Sequence, residues 1–396
     1  MLSVDEARAR ILDGVRLTDA EEIPLDRCLG RVAVPGVRAE IDVPSFANSA
    51  MDGFALRAAD APGPLPIAGE VAAGRGDLPV LAPGTALRIM TGAPLPPGAD
   101  TVVPLEEATE ADGQVRVPAP LSPGRHVRGQ GHDTRFGEEL LLGAPMAAAD
   151  IAVLASIGVA RIAVRRRPVV AILSTGDELV PPGEPLRPGA IYDANAPALA
   201  AAVRDAGGEP LALPPVRDAA DDTDERLRDA AARARLVLTS GGVSVGRHDH
   251  VRDAIARLGS LDLWRISVQP GKPLAFGSID GTPVMGLPGN PVSALVTFEL
   301  FARPLIRAML GLAGDGRVHL PARAQQRMPK DTPRRAYLRV RLAHAGRGYE
   351  AQASGGQGSS QLRALSAANA LLVVPEGIPA AEPGESYEAI VIGGME

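Results

Sequence analysis

Between Pro168 and about Leu312 the chain alternates regularly between short apolar runs and amphipathic stretches of helical spacing. PVVAILS precedes APALAAAVRDAG, EPLALPPV precedes TDERLRDAAARA, and RLVLTS leads on to DHVRDAIARLG. DLWRISV, a hairpin-like PLAFGSIDGTPVMGL and a long helical VSALVTFELFARPLIRAML complete the region. Strands alternating with helices form βαβ units, and these assemble into a mostly parallel sheet covered on both faces. That is the strongest constraint in the chain. In open sheets of this kind ligands bind beyond the carboxyl ends of the strands.

The flanking regions have a different texture. Ser3 and Glu6 form a capping-box pattern ahead of Ala7, Ile11 and Leu12, which predicts an N-terminal helix. From Pro35 to about Gly137 short apolar runs are broken by Pro and Gly (LPIAGEV, ALRIMTGAP, TVVPLEE, GQVRVPAP), the pattern of an all-β module. A helical AAADIAVLASIG and a strand-like RIAVRR follow. After about residue 316 strands return, with YLRVRL alternating in the half-buried manner, then ALLVVPEG and YEAIVI. The fold class is therefore α/β plus all-β modules, and 396 residues suit two to four domains. No internal repeat and no disordered tail is apparent in the sequence.

Composition excludes several functions. A net charge of −6 argues against a general electrostatic grip on nucleic acid, and 3% aromatic residues argue against base-stacking platforms. The Arg165-Arg166-Arg167 run reads as a solvated strand end. No apolar run approaches the roughly 18 residues of a membrane helix, and the charged start MLSVDEARARILDG is no export signal. The one cysteine, Cys28, leaves neither an internal disulfide nor a thiolate zinc cluster. A cytoplasmic protein without nucleic-acid or membrane partners is expected.

The chemistry-bearing residues cluster where the predicted strands end. PVVAILS runs into Thr175-Gly176-Asp177-Glu178, RLVLTS into Gly241-Gly242-Val243-Ser244-Val245-Gly246-Arg247-His248-Asp249, and VMGL into Pro288-Gly289-Asn290-Pro291-Val292-Ser293. Glycines let the backbone approach an anion closely, and a helix start presents free N–H groups. Glu178 and Asp249 would repel a bare phosphate, a conflict that an intervening Mg²⁺ resolves. The motifs therefore point to a phosphorylated ligand held with a divalent cation. Each also has a plainer reading: a turn with a helix cap, an ordinary glycine loop, a helix start. Their joint placement favours a site. His248 and His250, two residues apart and without a thiolate, are not a zinc pair. Lys272, in the stiff Gln269-Pro270-Gly271-Lys272-Pro273 loop, faces the same edge and suits an oxyanion, though a solvated lysine is the commoner case. Asp52 lies in a turn amid apolar residues, and 125–133 is a polar, basic loop that also reads as simply solvated. Ser354 to Ser360 precedes a helix near Gln361, as an anion cradle or a capped turn.

Six motifs in order, Ser-Ala-Met-Asp-Gly-Phe-Ala (49–55), Arg-Ile-Met-Thr-Gly-Ala-Pro (88–94), Ser-Thr-Gly-Asp-Glu-Leu (174–179), Gly-Gly-Val-Ser-Val-Gly (241–246), Pro-Gly-Lys-Pro (270–273) and Gly-Leu-Pro-Gly-Asn-Pro-Val-Ser (286–293), closely resemble the molybdopterin molybdenumtransferases, the molybdenum insertases to which the gephyrin E-domain is related. The resemblance covers nearly the whole chain. It implies an elongated four-part molecule: a small mixed N-terminal domain (1–44 with 138–167), a β-rich inserted domain (45–137), a three-layer α/β molybdopterin-binding domain (168–315) and a C-terminal β-barrel-like domain (316–396). It implies a homodimer whose cleft lies between the α/β domain of one subunit and the β-rich insertion of the other. The implied reaction is Mg²⁺-dependent insertion of molybdate into adenylylated molybdopterin with release of AMP.

By positional match the resemblance makes Asp52, Asp133 and Asp249 cleft acids, with Lys272 beside them as a catalytic cation. Thr175, Gly176, Glu178, Asp218, Gly241, Gly242, Ser244, Pro288, Asn290, Ser293, Arg128 and Ser359 become substrate-binding groups, and Asp52, Glu178 and Asp249 metal ligands. Implied partners are an upstream molybdopterin adenylyltransferase and apo-molybdoenzymes or their chaperones. Gln269 stands where several relatives carry lysine, which shifts anion binding toward Lys272 or Arg128. The alternatives are molybdopterin adenylyltransferase, which shares only the α/β domain, and a non-catalytic scaffold on the same fold.

Overall fold

The computed structural model describes residues 1–74, 76–216, 219–243, 250–331, 333–346 and 348–394, with Leu263 and Trp264 as backbone only. The chain divides into two units, Met1–Glu21 with Arg165–Glu396, and Glu22–Val164.

In the first unit α1 (Val4–Leu12) is followed, after the excursion into the second unit, by β1 (Val169–Ser174), α2 (Asn195–Asp205), β2 (Glu209–Ala212), α3 (Ala220–Arg233), β3 (Leu236–Ser240), α4 (His250–Leu258), β4 (Gly259–Trp264), β5 (Ala275–Ile279), β6 (Thr282–Leu287), α5 (Pro291–Thr297) and α6 (Arg303–Met309). The sheet order is β2-β1-β3-β6-β5-β4. β2, β1, β3 and β6 run parallel, and β5 turns back into β6 as the expected hairpin. Asp280 and Gly281 make that turn, both with positive φ (50° and 79°), the preference of an Asp-Gly pair in a tight hairpin.

Alternation along the strands sorts the side chains onto two faces. Val170, Ile172, Leu236, Leu238, Met285 and Leu287 pack with α2, α5, α6 and α1. Ala171, Leu173, Val237 and Val284 pack with α3 and α4 on the opposite face. The sheet is thus the centre of three layers, as the alternating sequence predicts. The Ser3–Glu6 capping box is formed, and it starts α1. α1, expected beside residues 138–167, instead buries Val4, Ala7 and Ile11 in this α/β core. The long helix predicted after Asn290 is continuous but not uniform. Phe298–Ala302 forms a π turn in which the Arg303 N–H reaches the Phe298 carbonyl. Pro304 explains it, because proline has no N–H to give and its ring crowds the carbonyl four residues back.

β7 (His319–Ala324), β8 (Arg335–His344), β9 (Tyr349–Ala353), β10 (Ala370–Val374) and β11 (Ser386–Val391) follow. They pair in the order β8-β9-β7-β11-β10, and β10 pairs again with β8, closing a five-stranded barrel. Ala336, Leu338, Val340 and Leu342 of β8 point into it. Tyr337, Leu371, Val373 and Ile390 point outward, into the same cluster as α1 and the α/β sheet. Barrel and α/β layers therefore share a core, which fixes the barrel loops relative to the strand ends.

The second unit holds a six-stranded sheet in the order Thr101–Pro104, Gly53–Leu56, Ala86–Ile89, Gly63–Val71, Gln114–Val117, Thr109–Ala111. Phe54, Leu56 and Val103 pack on one face, and Ala55, Leu87 and Val102 on the other. A third cluster of Ile23, Cys28, Met146, Leu154, Ile162 and Val164 gathers around the helix Ala148–Ser156. Among the described residues no helix is long and apolar enough to cross a membrane.

The segment entering the barrel carries a charge-dependent clasp. His319 Nδ1 lies 2.6 Å from Glu388 Oε1, and its Nε2 lies 2.9 Å from Asp315 Oδ2. Carboxylates only accept, so both ring nitrogens must donate and the ring is held as imidazolium. Burial opposes the charge, but the bonds to Glu388 and Asp315 outweigh it and raise the His319 pKa above its ordinary value. The stabilisation is complete below the ordinary histidine pKa of about 6.5 and is lost as pH rises through the raised folded-state value. Thermal melting followed across that window should show the wild type losing stability with rising pH more steeply than His319→Gln. Parallel pH profiles would contradict the clasp.

Candidate functional site

The register of three parallel strands builds the site. Ser174 of β1 pairs with Ser240 of β3, and Ser240 pairs with Leu287 of β6. The next residues, Thr175, Gly241 and Pro288, therefore leave the sheet side by side. The Thr175 N–H donates to the Ser240 carbonyl (3.0 Å) and the Gly241 N–H to the Leu287 carbonyl (3.0 Å), so the corners are stitched together. They open onto a cavity of about 640 Å³ whose wall includes Thr175, Gly176, Glu178, Gly241, Gly242, Pro288, Asn290 and Ser293. Each of these is a residue that the sequence singles out.

Glycine is required at the middle corner. Gly241 and Gly242 have φ of 97° and 66°, and a Cβ on Gly241 would stand 2.7 Å from Thr175 Oγ1. Side chains there would both strain the backbone and fill the cavity wall.

Two helix starts border the cavity, and they differ chemically. At α2 the buried Asp193 carboxylate accepts from the N–H groups of Asn195 and Ala196 (3.0 Å each), which occupies that helix start and sets a negative charge beneath it. At α5 the Asn290 side chain does not cap the helix. Its Nδ2 turns to Ser359 Oγ at 3.0 Å. An anion thus finds the α5 start open and the α2 start closed.

Asn195, which the sequence does not mark as functional, ties the corners together. Its Nδ2 donates to Ser240 Oγ (2.6 Å) and to the Gly289 carbonyl (2.7 Å). Only its place straight after Tyr192-Asp193-Ala194, at the start of a helix, hinted at a role. Arg339 was also hidden. Strand alternation predicts it exposed like Arg341, yet it is 1% exposed. Its guanidinium donates to the carbonyls of Gly356 (2.9 Å) and Gly358 (3.1 Å), and Gln357 closes a further bond with the Arg339 backbone. The glycine-rich loop that delivers Ser359 to Asn290, and Ser360 to the cavity wall, covers the side chain. Burial pushes the Arg339 pKa down to about 10, so the cation persists at neutral pH.

Lys272 is exposed and does not line the wall, although its neighbours Gly271 and Pro273 do. Asp218, Ser244 and Asp249, with His248, lie outside the described residues. Asp52, Asp133 and Arg128 belong to the second unit and are exposed there. The Thr91 N–H (2.6 Å) and Oγ1 (2.9 Å) both donate to Asp52 Oδ1, and these bonds hold the carboxyl below its ordinary pKa. Residues Asn48–Ser49 pair with Val127–Arg128, so the loops bearing Asp52 and Arg128 belong to one edge. His250 begins α4 and takes no part in the cavity wall.

Strand corners of glycine and hydroxyl residues around one cavity, on a three-layer sheet joined to a barrel, define a ligand-binding α/β protein. Residues 2–158 match the MoeA N-terminal region (domain I and II), 171–308 a family described as "Probable molybdopterin binding domain", and 321–392 the MoeA C-terminal region (domain IV). Molybdopterin molybdenumtransferase 2 of Mycobacterium tuberculosis is 38% identical over 96% of both chains. The molybdopterin molybdenumtransferase of Nostoc sp. is 39% identical over 91% of this chain and 86% of its own. The crystal structure of the molybdopterin biosynthesis MoeA protein from Pyrococcus horikoshii superposes with a TM-score of 0.86 at 32% identity and covers 100% of both chains. The chain belongs to the molybdopterin molybdenumtransferase family and is an enzyme of that kind, acting in molybdenum cofactor biosynthesis.

Replacing Asn195 by Ala strands the Ser240 hydroxyl and the Gly289 carbonyl together. A loss of about 1–3 kcal/mol is expected, read as a lower chemical-denaturation midpoint, together with weaker ligand binding at the cavity. An unchanged midpoint would show that the corners hold without it.

Proposed function

We propose that the cavity binds adenylylated molybdopterin by its phosphate linkage and that molybdate is inserted there, with AMP as the second product. The observation that carries this reading is the row of Thr175, Gly241 and Pro288 leaving one sheet edge beside an uncapped helix start. Backbone N–H groups, small hydroxyls and a helix start are the groups that hold phosphate oxygens.

Among the described residues no group of three or more metal-ligating side chains exists, and Glu178 is the one carboxylate in the cavity wall. That donor set suits Mg²⁺, which takes one or two carboxylates and completes its shell with phosphate oxygens and water. Glu178 would hold it, with Asp249 as the second carboxylate. Bound there, it would neutralise phosphate charge as water adds to the linkage, the P–O bond of the anhydride breaks and adenylate leaves. The chain's own groups do the rest. Gly241, Gly242 and Ser293 bind and orient the phosphates. Thr175 and Asn290 hold the corners, and Asp249 accepts or returns protons while molybdenum exchanges oxygen for the two dithiolene sulfurs. Ser244 and Asp218 are assigned to substrate binding, and Lys272 to stabilising the oxyanion.

Asp52, Asp133 and Arg128 are assigned to the cleft through a second copy of the chain, in a homodimer. Exposed apolar side chains on the second unit, among them Phe46 (45%), Phe136 (72%) and Leu141 (97%), support a covered surface there. The chain divides into four parts at 44/45, 137/138, 167/168 and 315/316, with α1 packed on the α/β core. A cytoplasmic setting, an upstream adenylyltransferase and receiving apo-molybdoenzymes complete the proposal.

Incubating the purified protein with adenylylated molybdopterin, Mg²⁺ and molybdate should release AMP in a molybdate-dependent manner and yield a product that activates an apo-molybdoenzyme. Asp249→Ala should lower turnover by on the order of a hundredfold or more while ligand still binds. Formation of adenylylated product from molybdopterin and Mg-ATP alone would favour an adenylyltransferase instead. Mixing Asp52→Ala with Asp249→Ala protein should restore part of the activity that each lacks, since mixed dimers carry one intact cleft. No recovery would count against a shared cleft.

A further inference from the structure

The cavity has a second wall of a different character. Ile191 (55% exposed) and Tyr192 (45% exposed) are two of the large apolar side chains that the chain leaves uncovered, and both face this cavity together with Leu179. In a chain with 3% aromatic residues, an uncovered tyrosine in a concave site is conspicuous. It is not a loose loop residue. Leu179–Val180 pairs in parallel with Ile191–Tyr192, and the N–H groups of Ile191 and Asp193 donate to the carbonyls of Glu178 and Val180 at 2.9 Å each. The Tyr192 hydroxyl donates to the Glu184 carbonyl at 3.1 Å, so the ring's tip is anchored while nearly half of the residue stays exposed. The Glu178 carboxylate and the glycine corners occupy other parts of the same wall. The site thus offers polar, anion-binding groups and an aromatic surface to one ligand.

We infer that Tyr192, with Ile191 and Leu179 beside it, is the platform on which the flat heteroaromatic ring of the ligand stacks while its phosphate lies against Gly241, Gly242 and the α5 start. The inference rests on the proposed function, and it names the residue that distinguishes a ring-bearing phosphate from a bare one. Every heteroaromatic ring has a π-face, so the platform accepts adenine or pterin, and offset stacking on a tyrosine needs no hydrogen-bond code.

Isothermal titration of the full-length protein with AMP, neopterin monophosphate and ribose 5-phosphate tests it. Tyr192→Ala should weaken AMP, neopterin monophosphate or both by about tenfold and leave ribose 5-phosphate unchanged. Which ring loses affinity identifies the ring that sits on Tyr192. Tyr192→Phe should bind like the wild type, because it keeps the ring and loses only the bond to Glu184. Tyr192→Leu keeps apolar bulk without a π-face and should behave like the alanine variant. Unchanged binding of all three ligands in Tyr192→Ala, or an equal loss for ribose 5-phosphate in both Tyr192→Ala and Tyr192→Leu, would overturn the platform. If the wild type binds none of the three, the phosphate reading of the cavity falls and the platform falls with it, a pattern distinct from selective failure of the variants.

Discussion

The parallel pairing of β1, β3 and β6 is the constraint on which the site depends. Neighbouring strands lie about 4.8 Å apart, so a row that places Ser174, Ser240 and Leu287 in register brings three chain segments out of the sheet side by side, each within reach of the next. Each segment would otherwise be an ordinary surface turn. Interior packing on both faces makes the register stiff, because a slip by one residue would exchange the side chains packed under α2 and α5 for those packed under α3 and α4.

Charge placement then gives the cavity its direction. Asp193 closes the start of α2 from below, Glu178 presents an exposed carboxylate from the side, and the start of α5 is left open by an asparagine that points elsewhere. The barrel contributes the remaining piece. Its outer face shares a core with α1 and the sheet, and Arg339 grips the glycine loop that carries Ser359 and Ser360 to the cavity. A buried guanidinium among carbonyl groups is costly to bury unless each donor is satisfied. Arg339 meets this only in part: its Nη2 donates to the carbonyls of Gly356 and Gly358, while its buried Nε has no hydrogen-bond partner among the described residues.

Much of this was legible in the sequence, for physical reasons that can be stated. Strand and helix periods differ, so the alternating layers and the β-rich module are written directly into the apolar spacing. Glycines that must adopt positive φ at Gly241 and Gly242, and the Pro-Gly-Asn-Pro corner, are local necessities and therefore visible locally. Asn195 and Arg339 were not legible, because their roles are tertiary. One bridges loops from two distant strands, and the other is buried by a loop that follows it in the chain. Alternation predicts Arg339 exposed since a period-two pattern carries no information about what will cover a strand's outer face. α1 was misplaced for a related reason: a helix's apolar stripe shows that it packs, not on what. Lys272 illustrates the converse, since a stiff loop brought its neighbours to the wall and left its own side chain in solvent.

A crystal structure of the protein with AMP and Mg²⁺ bears most directly on the central idea, that in-register strand ends form a phosphate cradle. The phosphate should lie against the backbone of Gly241, Gly242 and the first turn of α5, with Glu178 on the cation side. A phosphate bound at the start of α2, or away from all three corners, would contradict the account.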